Sequence, residues 1–174
     1  MRHLRILCLL AIAAMLSIPA GQAGAEVPSL PDLVAQQSDL TLVTKAAQMG
    51  GVTTALQGCG PFTVFAPVDC AWANLCKPTA DDLLSPCNKT MLASIVMYHV
   101  VCGAYTFAEF EKSQCCPLIL RTLSGGTLTI TLKCGSWYVN GAKILGGGIS
   151  AGNGSLFKID RVLIPPGVRV EQKG

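Results

Sequence analysis

Residues 60–72 read GPFTVFAPVDCAW, and this stretch decides the fold. Residues 62–66 are aromatic and β-branched in alternation, which predicts a β-strand. Pro67 ends that strand, because proline cannot donate to a β-ladder. Asp69 stands where a helix N-cap belongs. Its carboxylate is therefore expected to accept hydrogen bonds from the first amides of the short helix that follows it.

The residues on either side of this stretch have helical patterns. Residues 31–50 predict two short helices, and Gly50-Gly51 ends the second of them. Residues 88–97 predict a longer helix, since apolar side chains recur there at helical spacing. Residues 98–101 then read as the start of a strand.

The second half of the chain changes to strand patterns. Asn140-Gly141 and Asn153-Gly154 predict hairpin turns, whereas Gly146-Gly147-Gly148 indicates a flexible loop. Trp137 and Tyr138 point to opposite faces of one strand, so only one of them can be buried inward. Helices first and strands later indicate an α+β fold. The β-rich segments are residues 118–123, 127–133, 136–139, 142–145 and 155–164.

The first 25 residues have the three parts of a secretory signal peptide. Arg2 and Arg5 precede an apolar run at residues 6–18, and Ala23-Gly24-Ala25 fits a cleavage site. We expect cleavage after Ala25, which leaves residues 26–174 as one domain with its core at about residues 30–166. The alternative is an uncleaved anchor, but the apolar run is short for a membrane span. After cleavage, no membrane insertion is expected.

Cysteines are the second distinctive feature of the sequence. There are 9 of them, and Cys8 leaves with the leader. An even number in an exported chain predicts disulfides, with the pairing left open. A zinc site is the rival interpretation, but there is no C-x2-C pair and His99 is the one histidine after the leader, so no metal is expected. The disulfide candidates are Cys59, Cys70, Cys76, Cys87, Cys102, Cys115, Cys116 and Cys134.

Composition excludes several classes of protein. Charged residues are only 13% and the hydrophobic set is 51%, which excludes a disordered chain. Without Arg2 and Arg5 the charge is close to neutral and scattered, so a nucleic-acid partner is not expected.

Four blocks in order resemble the fasciclin (FAS1) domain family. The first is residues 60–72, the second is Tyr98-His99-Val100-Val101, and the third is Val139-Asn140-Gly141-Ala142. The fourth is Asn153-Gly154 followed by IDRVLIPP at residues 159–166. Together they span nearly the whole chain after the leader. Val68 and the many cysteines depart from the family pattern.

The resemblance implies a β-wedge of two sheets with several short α-helices packed around it. It also implies non-catalytic adhesion or matrix work through extracellular or cell-surface proteins, or glycans, with no cofactor. The predicted contact residues are Tyr98, His99, Ile159 and Asp160. For His99, the residue pattern itself favours packing between a helix and a strand, and the contact role is what the resemblance implies.

Catalytic motifs are weak. Gly148-Ile149-Ser150-Ala151-Gly152 fits G-x-S-x-G, but a turn and a strand follow it instead of a helix, and His99 precedes it. A Cys-His pair with His99 conflicts with predicted disulfides, so no catalytic residue is expected.

Two further interpretations remain open at this stage. Asn88 and Asn153 begin N-x-S/T sequons and are glycosylation candidates in a eukaryotic host. The alternative function is an extracellular binding module for a small apolar ligand or glycan, which needs an apolar cavity of roughly 300–1,000 Å³.

Overall fold

The computed structural model describes residues 27–58, 60–77, 80–113, 116–168 and 171–172, with the backbone alone for Cys76, Lys77, Glu171 and Gln172. The described residues form seven α-helices and nine strands. The helices are α1 (Leu30–Ala35), α2 (Thr41–Gly50), α3 (Thr53–Leu56), α4 (Asp69–Ala73), α5 (Ala80–Leu83), α6 (Lys89–Tyr98) and α7 (Phe107–Lys112), and a 3₁₀ turn covers Pro86–Asn88. The strands are β1 (Phe62–Pro67), β2 (Leu75–Lys77), β3 (Val100–Cys102), β4 (Leu118–Arg121), β5 (Thr127–Lys133), β6 (Ser136–Val139), β7 (Ala142–Ala151), β8 (Gly154–Ile159) and β9 (Glu171–Gln172).

The main sheet has seven strands in the order β3-β1-β8-β7-β6-β5-β4, and β2 and β9 form a separate ladder. The predicted strand at residues 62–66 is confirmed as β1, which lies between β3 and β8. It pairs in parallel with β8 from Phe62↔Gly154 to Pro67↔Ile159. The α+β fold class is confirmed.

The sheet divides into two parts that diverge between β6 and β7. These strands pair only at Tyr138↔Lys143 and Val139↔Ala142. On the other side, β7 pairs with β8 along most of its length. The division gives the wedge that the sequence resemblance implies.

The glycine run lies inside β7, so the predicted flexible loop is wrong. Pairing shifts between Leu145 and Ile149, and residues 146–148 bulge opposite Phe157. An added Cβ at Gly148 would lie 2.6 Å from the Phe157 ring. Glycine there lets the strand cover the ring, a close approach that sequence periodicity does not reveal.

Two apolar clusters lie on opposite faces of β1 and β8. On one face, Val64 and Leu156 pack among the buried side chains of α1, α2, α4 and α6. On the other, Phe65 and Phe157 stack with ring centroids 5.7 Å apart. Phe110 of α7 closes this second cluster, with its ring centroid 5.1 Å from that of Phe157. Both faces of these strands are therefore buried.

The longest described helices, α2 and α6, have 10 residues each. Within the described part of the chain, no helix has the length and apolar character that a membrane span requires.

Candidate functional site

Tyr98 is an interior residue that holds two hairpins together. It ends α6 and is only 4% exposed. Its hydroxyl donates to the Thr127 carbonyl at 2.9 Å and accepts from Asn140 Nδ2 at 3.1 Å. Asn140 is in the left-handed region with φ 47, as the predicted Asn-Gly hairpin turn requires. The phenol therefore links α6 to β5 and to the β6–β7 turn.

His99 is also buried, with 2% of its surface exposed. Nδ1 lies 2.7 Å from the Ile95 carbonyl, and Nε2 accepts from the Leu163 amide at 2.9 Å. These partners require the neutral ring with its proton on Nδ1. Burial lowers the pKa of His99 from 6.5 to about 4, against an opposing effect of the Ile95 hydrogen bond.

The predicted contact residues Tyr98, His99 and Ile159 do not fit a direct contact role. Ile159 is 0% exposed and the other two are nearly as buried, so a partner cannot reach them without unfolding the domain. Asp160 is half-buried, and its Oδ1 accepts from the Lys143 amide at 2.7 Å. The packing interpretation of His99 fits the structure.

The geometry of His99 also bears on catalysis. Both ring nitrogens are engaged with backbone groups, so neither is available to take a proton from a nucleophile. Ser150 lies within β7 and not on a strand-to-helix turn, so the G-x-S-x-G match lacks the context of a nucleophile elbow. No cluster of three metal-ligating side chains occurs among the described residues.

Asp69 caps a different helix from the predicted one. Its Oδ1 accepts from the Leu42 amide at 2.9 Å, and Oδ2 accepts from the Thr41 hydroxyl at 2.7 Å and the Thr41 amide at 3.3 Å. The capped helix is α2, whereas α4 begins at Asp69 and has no side-chain cap. The prediction of a cap on the following helix is wrong, because the fold brings the start of α2 against this carboxylate.

A salt bridge fixes the loop between α1 and α2. Lys158 Nζ lies 2.8 Å and 2.9 Å from the two carboxylate oxygens of Asp39. The Asp39 carbonyl also accepts from the Asp69 amide at 2.9 Å. These contacts join the loop between α1 and α2 to β8 and α4. Asp69, which belongs to the stretch at residues 60–72, therefore helps to position the N-terminal helices.

The cysteines that the structure describes are separate and exposed. Free thiols are present at Cys70, Cys87, Cys102, Cys116 and Cys134. Cys59 and Cys115 lie outside the described residues, as does the side chain of Cys76. Disulfide formation by these eight residues stays a prediction.

The two sequons differ in their surroundings. Asn153 Oδ1 accepts from the Leu30 amide at 2.8 Å, and its Nδ2 donates to the Leu56 carbonyl at 2.6 Å. Asn88 Nδ2 donates to the Asp82 carbonyl at 2.8 Å in an exposed position. The side chain of Asn153 thus ties α1 and α3 to the β7–β8 turn, and this disfavours a glycan there. Glycosylation at either residue stays a prediction.

The Asn153→Asp substitution is expected to lower the unfolding free energy by about 1–2 kcal/mol. The carboxylate keeps an acceptor for Leu30 but places a second acceptor against the Leu56 carbonyl. Urea unfolding measures the effect, with Asn88→Asp as the matched control. Equal losses in the two variants would contradict the assignment.

The sequence interpretation missed an exposed surface. We define the outer face as Ile119, Arg121, Thr129, Thr131, Lys133, Tyr138 and Lys143, on β4 to β7. Cross-strand pairs Ile119↔Thr129, Thr131↔Tyr138 and Tyr138↔Lys143 place these side chains together. Ile119 is 65% exposed, although it is a large apolar residue.

The outer face is basic. Between residues 116 and 168 the acidic residue Asp160 stands against five basic ones, namely Arg121, Lys133, Lys143, Lys158 and Arg161. Lys158 is paired with Asp39, whereas Arg121, Lys133 and Lys143 are exposed. The excess of basic residues in the second half of the chain was the sequence signal for this face. The nearly neutral net charge of the whole chain conceals that excess. The Trp137 ring lies 5.9 Å from that of Phe110 in the second apolar cluster, whereas Tyr138 lies on the outer face, and both side chains are half-buried.

The cavity in the interior of the domain is small, whereas the clefts at its surface are larger. The apolar cavity beside His99, between α1, α2, α3 and β1, has a volume of about 40 Å³. Three adjoining clefts of about 460, 220 and 570 Å³ follow β7. A polar cleft of about 490 Å³ lies beside Arg161.

A profile of the fasciclin domain matches residues 38–165, which is most of the chain. The chain belongs to the fasciclin domain family. The match contains Tyr98, His99, Asp69 and the outer face, whereas α1 and β9 lie outside it.

Relatives of this fasciclin domain occur in bacteria. Protein sll1483 of Synechocystis is 34% identical over 138 residues, which cover 79% of this chain and 74% of that protein. The cell surface glycolipoprotein MPB83 of Mycobacterium bovis is 30% identical over 155 residues, or 89% of this chain and 64% of that protein. The immunogenic protein MPB70 of the same organism is 36% identical over 107 residues, 62% of this chain and 51% of that protein. The match thus covers less than two thirds of each mycobacterial relative.

A solved structure shares the fold. A FAS1 domain pair from the insect cell adhesion molecule fasciclin I superimposes with a TM-score of 0.68 and 18% identity, over 82% of this chain and 52% of that one. This fasciclin domain therefore has the same architecture as one module of a protein described as a cell adhesion molecule.

Proposed function

We propose that this fasciclin domain is a secreted, non-catalytic module that mediates cell adhesion or matrix interaction by binding extracellular or cell-surface proteins. The observation that carries the proposal is the outer face, in which basic residues surround the exposed Ile119 and the half-buried Tyr138. The cell-surface description of one relative and the adhesion description of the structural neighbour support the same class of function.

The composition of the outer face is that of a protein interface. Ile119 and Tyr138 supply apolar area, and Tyr138 adds a hydroxyl that can find a partner across an interface. Thr129 and Thr131 lie between them on a paired strand. Because the sheet fixes these side chains, little conformational entropy is lost when a partner binds.

The positive charge of the outer face favours an acidic partner. Arg121, Lys133 and Lys143 are exposed, and the outer face contains no carboxylate. An acidic protein surface complements it and associates faster at low salt. The contact should therefore weaken as ionic strength rises, since exposed charges are screened over about 8 Å at physiological salt.

The dimensions of the outer face indicate a weak single contact. Strands about 4.8 Å apart and residues about 3.4 Å apart give a face of roughly 15 by 20 Å. This is below the roughly 800 Å² that each partner buries in a stable complex. Adhesion at such a surface depends on many copies that act together.

The alternative function, binding of a small apolar ligand inside the domain, has little support. The cavity beside His99 holds about 40 Å³, against the roughly 300–1,000 Å³ of typical ligand pockets. The interior is otherwise filled by the two apolar clusters.

Replacement of Tyr138 by alanine together with Lys143→Glu is expected to lower retention on native extracellular material at least about tenfold, or about 1.4 kcal/mol. The change removes the aromatic contact and reverses one charge. Retention of beads that carry the purified chain is measured at increasing salt. Lys45→Glu, on the exposed surface of α2, is the charge-matched control. Equal retention of the double variant and the unchanged chain would refute the outer face as the contact.

A further inference from the structure

We infer that the free edge of β7, with the clefts beside it, binds an extended peptide segment of a partner protein that adds to β7 as a further strand. This site adjoins the outer face, with which it shares Lys143, but it does not depend on the proposed function.

The edge of β7 that faces away from β8 lacks a protein partner over most of its length. β6 pairs only with Ala142 and Lys143. From Ile144 to Ala151, β7 pairs with β8 alone. In the part of the chain that the structure describes, no other backbone or side-chain hydrogen bond reaches these eight residues. A strand edge of this kind is a template for another strand.

The three clefts, together termed the groove, adjoin one another along β7, and two of them extend over the neighbouring face of β8. Phe107 and Gly147 line both the 460 Å³ and the 220 Å³ clefts. Thr106, Ser150 and Ser155 line both the 220 Å³ and the 570 Å³ clefts. Residues 104–107 form the facing wall. An extended peptide of about six residues, roughly 20 Å long, matches the length of this stretch of β7.

The chemistry of the groove favours a peptide over a glycan. The three linings contain no carboxylate side chain, and the one side-chain amide, Asn153, is already bonded to Leu30 and Leu56. Hydroxyls, the Trp137 indole N–H, the Lys143 ammonium and strand backbone are the polar groups that remain. Alternating backbone N–H and C=O groups match those of another extended chain.

The glycine bulge keeps this edge accessible. Gly146, Gly147 and Gly148 are exposed and have no side chain to cover the backbone. Natural edges are often protected by charged residues, and Lys143 is the one charged side chain in these linings. The half-buried rings of Phe107 and Trp137 lie beside it. The preferred peptide therefore carries an apolar residue for these rings, an acidic residue near Lys143, and small residues opposite the glycines.

One of the three glycines allows a clean test. An added Cβ at Gly147 has no atom within 4 Å, so a side chain there projects into open space. Gly146 has φ +73, where other residues are strained, and a Cβ at Gly148 meets the Phe157 ring. Gly147→Val should therefore fold normally and obstruct the groove.

The test uses short linear peptides selected from a display library on the purified, immobilised chain. We expect selected peptides to slow amide hydrogen exchange at residues 144–151. Gly147→Val should weaken their binding at least about tenfold. Methylation of alternate peptide amides should weaken it similarly, because it removes the ladder donors. Thr54→Val, on the exposed surface of α3, is the control and should leave binding unchanged.

Several outcomes would overturn the inference. They are failure to select any peptide, protection confined to other residues, or equal binding by Gly147→Val. Self-association of the chain in sedimentation experiments that Gly147→Val abolishes would assign the edge to a second copy instead. Binding of oligosaccharides with the same Gly147 dependence would assign the groove to glycans.

Discussion

Acidification from pH 6.5 to pH 4 is expected to lower the unfolding free energy of this domain by about 3 kcal/mol through His99 alone, at about 1.4 kcal/mol for each pH unit. The unfolded chain takes up the proton near pH 6.5, whereas the folded chain resists it until about pH 4. Between these values the unfolded state binds more protons, so stability falls as the pH falls. Well below pH 4 the ring is protonated in both states, so the loss of stability from His99 grows no further.

The folded structure has no place for a second proton on His99. Nε2 accepts from the Leu163 amide, so a proton there would set two donors against each other. The charged ring would also lie in the interior, where desolvation is costly.

Urea unfolding at a series of pH values measures this effect. His99→Leu is the reference, since it removes the titrating ring but keeps apolar volume, and its stability should respond less to pH over this range. A direct check is the NMR titration of the His99 ring in the folded chain. A midpoint near 6.5, or equal pH slopes for the two proteins, would contradict the prediction.

Asp69→Ala is expected to destabilise the domain by about 2–3 kcal/mol at neutral pH. The carboxylate accepts three hydrogen bonds from Thr41 and Leu42 at the start of α2. Its negative charge also lies at the positive end of the helix dipole. Removal leaves the partly buried Leu42 amide without its acceptor.

Chemical denaturation measures this loss, and two variants make it specific. Asp69→Asn keeps one acceptor oxygen and should lose less. Asp32→Ala removes an acidic residue from the first turn of α1, where the contact to Ser29 is exposed, and should change stability by less than about 0.5 kcal/mol. A loss at Asp69 no larger than that at Asp32 would show that the distant cap contributes little.

Sequence patterns predicted the secondary-structure elements that depend only on neighbouring residues. Residues 62–66 formed a strand because their alternation is read within a few residues, and Asn140-Gly141 formed its hairpin because the turn needs a left-handed backbone. The resemblance to a known family located the blocks that the fasciclin profile matches.

Long-range partners were not predictable from such patterns. Asp69 meets a helix that begins 28 residues earlier, and His99 meets an amide 64 residues later. Tyr98 and His99 were candidates for partner contact because they lie in a block that resembles the family. Both side chains are buried in the fold, so they cannot contact a partner directly. The bulge in β7 was missed because its glycines fit a loop equally well until Phe157 is placed beneath them.

The parallel ladder between β1 and β8 has a consequence for how the molecule is made. β1 emerges from the ribosome well before β8, its parallel neighbour in the sheet. At roughly 5–20 residues per second, β1 waits several seconds for that neighbour. The central ladder of the sheet therefore cannot form until β8 has been synthesised, and β1 needs protection from aggregation until then.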